Sequence, residues 1–71
     1  MFEVITTRNG KLVQSSKFKD YRMADYHFLL EAHRLDNAPK VTVTLRKGHI
    51  ALKMFEANTA WENPRLAEIT A

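Results

Sequence analysis

The sequence predicts an α+β domain of order ββαββ, with two antiparallel hairpins flanking one helix that packs on the sheet. Three observations predict this fold. An Asn-Gly pair separates two β-prone runs, a segment of helical periodicity follows, and two alternating runs flank Lys47-Gly48. With 71 residues the chain has room for one domain, which we assign to residues 1–56. Residues 57–71 are expected to form a short helical turn or tail, free to pack back on that domain.

The first hairpin is centred on Asn9-Gly10, which suits a type I′ turn because both central positions of that turn need positive φ. A two-residue loop pairs Thr6 with Val13 and Val4 with Ser15. The apolar residues then fall on both faces, since one face carries Phe2, Val4, Thr6 and Val13 and the other carries Met1, Ile5, Leu12 and Phe18. Neither face is clearly polar, as expected of a hairpin that is covered on both sides.

The helix is predicted from about Tyr21 to about Leu35. Asp20 is its expected N-cap, and Pro39 ends it because the residue before a proline avoids helical geometry. At 100° per residue, one apolar stripe faces the sheet. That stripe consists of Tyr21, Ala24, Phe28, Ala32 and Leu35.

The second hairpin has the clearest alternation in the chain. A turn at Lys47-Gly48 pairs Leu45 with Ile50, and the two strands then agree on which face is buried. The predicted buried side chains are Val41, Val43, Leu45, Ile50, Leu52 and Met54. In the tail, Asn63-Pro64 is expected to open a short helix that carries Leu66 and Ile69.

Composition excludes several classes of protein. The chain has no Cys, 45% hydrophobic residues, 27% charged residues and a formal net charge of +3. Disulfide scaffolds and disordered chains are therefore excluded, and we expect a cytoplasmic protein. No segment approaches the roughly 20 apolar residues that a membrane span needs, and the start of the sequence does not resemble a signal peptide.

The sequence carries no pattern typical of an enzyme. It has no Cys nucleophile and no Gly-rich phosphate loop, and both glycines lie in predicted turns. His27 and His33 are six residues apart, so they point about 120° away from each other on a helix, whereas helical metal ligands are three or four apart. We therefore expect no catalytic residues, no metal, no cofactor and no small-molecule substrate.

A second apolar stripe on the helix is the first candidate site. Met23, Tyr26 and Leu30 are spaced i, i+3, i+7 on nearly the opposite side from the core stripe. One interpretation is that the tail covers them through Trp61, Leu66 or Ile69. The other is that they bind a second copy of the chain or another protein, and this makes a self-associating interaction protein the leading hypothesis.

The outer face of the second hairpin is the alternative site. It is expected to carry Lys40, Arg46, His49 and Lys53 beside Phe55, with no acidic residue. Cations around an aromatic ring suit nucleic-acid binding on a sheet, although a solvated face has the same composition. The order hairpin, helix, hairpin also resembles small phage and plasmid accessory proteins in size and style, and that resemblance assigns no function.

Overall fold

The computed structural model describes residues 1–70 and confirms an α+β fold built on one antiparallel sheet. The elements are β1 (Phe2–Arg8), β2 (Lys11–Phe18), α1 (Tyr21–Arg34), β3 (Val41–Lys47), β4 (Ile50–Glu56), β5 (Thr59–Glu62) and α2 (Leu66–Ile69). The strand order is β2-β1-β3-β4-β5, so the two predicted hairpins join through β1 and β3 into one sheet. α1 packs on one face. We call the other the open face; the register places Ile5, Thr44 and Met54 at its centre.

The core lies between α1 and the three central strands. The predicted helix stripe is confirmed: Ala24, Phe28 and Ala32 are buried, and Tyr21 and Leu35 pack against the core. The sheet contributes Phe2, Val4, Val41, Val43, Leu45 and Leu52. Asp20 caps α1 as predicted, its carboxylate accepting from the backbone N–H of Arg22 at 3.4 Å. The predicted core therefore exists, with two errors in the second hairpin.

Those two errors have two causes, a displaced turn for Ile50 and a bulge in β4 for Met54. The turn is formed by Gly48-His49, not Lys47-Gly48, and the pairing then slips by one residue between Arg46–Ala51 and Leu45–Lys53. A one-residue slip reverses which face each side chain takes. Met54 therefore lies on the open face, and Ile50, at the end of the sheet, is 48% exposed. Both were wrongly predicted to be buried.

A bulge in β2 also changes the register that was predicted for the first hairpin. Arg8 pairs with Lys11 as predicted, but Thr6 pairs with Gln14 and Val4 with Ser16, because Val13 is an extra residue in β2. The slip turns Phe18 toward the helix side, where it pairs with Phe2 and packs against the core. Ile5 and Leu12 lie on the open face, opposite to Phe2 and Val4, as predicted.

The segment after β4 continues the sheet. Ala57 and Asn58 both adopt positive φ and turn the chain into β5, a strand that the sequence pattern did not reveal. The Asn63 carboxamide then accepts from Arg65 N–H at 2.8 Å and donates to the Ala51 carbonyl at 2.9 Å. These bonds direct α2 to the helix side of the sheet, where Leu66 and Ile69 pack against the core.

Candidate functional site

The outward side of α1 carries an exposed apolar patch, which we call the helix patch. Met23, Tyr26, Leu29 and Leu30 are 59%, 64%, 54% and 51% exposed. Three of them are the predicted second stripe, and Leu29 extends it. The interpretation that the tail covers this stripe is wrong, because α2 packs near Tyr21 on the core side and Trp61 lies on the open face.

Two carboxylates of α1 are paired with basic side chains of the same chain. Asp25 accepts from the Lys53 ammonium at 2.7 Å, and Glu31 accepts from the Arg34 guanidinium at 2.7 Å. Arg22 and His33 remain as exposed polar neighbours of the apolar residues. The helix patch is therefore apolar, with the Arg22 guanidinium as its cationic neighbour.

A shallow groove borders the helix patch on the side of β4 and β5. Its volume is about 410 Å³, and Leu29 forms part of its wall. The remaining lining residues come from α1, β4 and the turn into β5: Phe28, Ala32, His33, Asp36, Phe55, Asn58 and Ala60. Leu29 belongs to both the patch and the groove, so an apolar ridge lies beside a mostly apolar groove.

The five residues predicted for nucleic-acid binding do not share one face. Lys53 and Phe55 pair with Leu45 and Val43, so the β4 bulge turns them toward α1. Arg46 does lie on the open face, where its guanidinium donates twice to Glu3 at 2.8 and 3.0 Å. Lys40 lies in the loop before β3 with φ of 61°, and His49 lies in the β3–β4 turn. The predicted basic ladder with an adjacent aromatic ring is therefore not formed.

Two ion pairs set the electrostatics of the sheet. The hydrogen bond from Arg46 holds the pKa of the Glu3 carboxyl below its usual value, and Lys17 acts in the same direction. Burial alone would lower the pKa of Lys53, but hydrogen bonds and charge from Asp25 and Tyr21 outweigh it and raise that pKa. Each pair thus favours the charged state of the group it holds.

The sequence pattern missed the open face as a possible site. Its central row crosses all five strands in register and consists of Ser15, Ile5, Thr44, Met54 and Trp61. Trp61 is 44% exposed there. The sequence did contain one indication of this site, because the side of the first hairpin that carries Ile5 is too apolar for a solvated face.

Within residues 1–70, no group of three or more His, Asp or Glu side chains is arranged to hold a metal ion. None of the helices in this part of the chain is both long enough and apolar enough to cross a bilayer. Comparison with known proteins yields no matching family model, no similar curated protein and no similar solved structure.

Proposed function

We propose that this chain is a non-enzymatic, cytoplasmic interaction protein that binds an amphipathic helix of another protein on the helix patch. The observation that carries the proposal is the exposure of Met23, Tyr26, Leu29 and Leu30 on one side of α1. A helix on the surface of a small domain normally presents polar residues to water. Here the outward side is apolar over more than two turns, which matches the length of a helix-in-groove contact.

The spacing and the groove support a helical partner. Met23, Tyr26 and Leu30 form a ridge along α1, and the groove beside Leu29 can receive side chains from a helix lying against that ridge. The exposed Arg22 guanidinium at one end of the patch favours a partner with carboxylates flanking its apolar stripe.

A nucleic-acid function has weaker support. It depended on Lys40, Arg46, His49, Lys53 and Phe55 acting together, and Lys53 is instead bound to Asp25. A sheet platform needs its cations and its aromatic ring on the same solvent-exposed face. Salt dependence of any DNA or RNA affinity would still distinguish the two functions, because phosphate contacts release counterions.

The test replaces Leu30 with Asp. The variant should fold normally because Leu30 is exposed, and it should bind its partner roughly 10- to 100-fold more weakly, since burying a leucine contributes about 1.5–3 kcal/mol. To identify the partner, a photoreactive residue replaces Tyr26 and is cross-linked in a nuclease-treated lysate of the source cells. The cross-linked peptide then identifies the contacted segment. A synthetic peptide of that segment then gives dissociation constants for both proteins by calorimetry.

The matched control is Leu12→Asp, which changes a leucine that is 66% exposed, against 51% for Leu30, on the open face of the sheet. We expect the control to bind the peptide like the wild type. Equal affinity of the wild type and Leu30→Asp for the peptide contradicts the proposal. So does a captured segment that has neither helical periodicity nor carboxylates.

A further inference from the structure

The open face carries the large apolar side chains Ile5, Met54 and Trp61 in its central row, and its charges lie in the flanking rows. Both α1 and α2 pack on the other side of the sheet, so in residues 1–70 neither helix covers this face. Three rows of side chains cross it in register. The central row is Ser15, Ile5, Thr44, Met54 and Trp61; one flanking row is Lys17, Glu3, Arg46 and Ala51; the other is Leu12, Thr7, Thr42, Glu56 and Thr59.

The charges of this face balance. Lys17 and Arg46 are matched by Glu3 and Glu56, and the Arg46–Glu3 ion pair is closed within the chain. All four lie in the flanking rows, away from the central apolar side chains. A face without net charge does not attract a polyanion, and large apolar side chains flanked by charged ones are typical of interfaces between protein subunits.

The open face is complementary to itself. A two-fold axis parallel to the strands over β3 exchanges β1 with β4 and β2 with β5. It places Met54 against Ile5 of a second copy, and the large Trp61 against the small Ser15. Thr44 lies on this axis and therefore faces Thr44 of the second copy. We infer that two copies of this chain pack open face to open face, forming a four-layer dimer with both α1 helices outside.

The area of the face is sufficient for a dimer. Five strands about 4.8 Å apart and seven residues at about 3.4 Å each give roughly 500 Å² per copy, allowing for the short β5. Two copies therefore bury about 1,000 Å², which is the lower bound for a specific interface. Aligned sheets also pack at a small angle, so the central rows of the two copies stay in contact.

Charges introduced at the axis test this dimer. Thr44→Lys and Thr44→Asp should each be folded monomers, because like charges then face each other and weaken dimerisation by roughly 100-fold or more. An equimolar mixture of the two variants should recover a dimer, since the facing charges are then opposite. Sedimentation velocity measures the three samples, and far-UV circular dichroism checks that each variant folds.

The single tryptophan gives a second readout. Dilution of the wild-type dimer should shift Trp61 emission to longer wavelength, because the indole returns to water. The control Leu30→Asp should remain dimeric, because Leu30 lies on α1. A wild type that stays monomeric at millimolar concentration overturns the inference, as does a monomeric Leu30→Asp beside a dimeric Thr44→Lys. Partner binding to the helix patch is measured separately and does not depend on this result.

Discussion

Lys53 shows how one side chain joins the sheet to the helix. Its ammonium donates to Asp25 at 2.7 Å and lies 5.8 Å from the centre of the Tyr21 ring. The Lys53 and Asp25 side chains are only 17% and 25% exposed, so solvent screens the pair weakly. The contact ties β4 to α1, which packs mainly over β1, β3 and β2.

We expect Lys53→Met to lower the free energy of unfolding by about 1–3 kcal/mol, since it leaves Asp25 partly buried without its partner. Urea denaturation measures the loss, and Lys11→Met at an exposed position is the control. The raised pKa of Lys53 means that its contribution is complete below pH 10.5 and is lost as pH rises through the folded-state pKa. The difference in melting temperature between wild type and Lys53→Met should therefore shrink above pH 10.5. A constant difference contradicts the assignment.

The role of Lys53 was not predictable from its position in the sequence. Alternation placed it on the outer face because the pattern from Ile50 to Met54 has no visible interruption. The bulge at Leu52 reverses the pattern from Lys53 onward, so that Phe55 and not Met54 lies on the core side. What selects Phe55 is tertiary: the β4 bulge brings Lys53 within reach of Asp25.

At the scale of elements, glycine and asparagine were an incomplete guide to the turns. The first turn was placed correctly, the second was placed one residue early, and the turn that contains Asn58 was missed. Asn9-Gly10 forms the first hairpin turn with φ of 55° and 77°. Ala57-Asn58 occupies the equivalent position between β4 and β5, with φ of 47° and 68°. An alanine gives no signal for such a turn, and this is why β5 was missed. The two bulges were equally invisible, since each adds one residue without changing composition.

The positive φ of Ala57 predicts a stabilising substitution. Ala57→Asn should raise the free energy of unfolding by about 0.5–1 kcal/mol, because asparagine tolerates the left-handed conformation better than alanine. Asn9→Ala is the reciprocal variant and should lower it by a similar amount. Thermal denaturation of both proteins measures the changes. A destabilised Ala57→Asn would show that the turn geometry does not govern this position.

For the whole molecule, strand order was the main unknown. The hairpins, the helix and its buried stripe follow from local periodicity, but the pairing of β1 with β3 joins residues some 40 positions apart. Long-range pairing leaves no local trace in one sequence. The helix patch was predicted because helical spacing exposes it, whereas the open face needed the complete sheet, including both bulges, to place Ile5, Met54 and Trp61 together.

Stability of the whole domain should depend on Phe28, which is 4% exposed at the centre of the core. Phe28→Ala should remove about 3–5 kcal/mol, a large part of the roughly 4–10 kcal/mol expected for a domain of this size. Its neighbour Leu29 is 54% exposed, so Leu29→Ala should cost far less and serves as the control. Equal melting temperatures for these two variants would contradict the core assignment.

The Val13 bulge has a consequence for how the chain behaves in a crowded solution. An edge strand with free backbone groups recruits strands from other chains and can seed fibrils. β2 is such an edge, but its bulge twists the backbone, and Lys11 and Lys17 place charge at both ends. The opposite edge, β5, is only four residues long. Both edges of the sheet therefore carry features that disfavour the addition of strands from other chains.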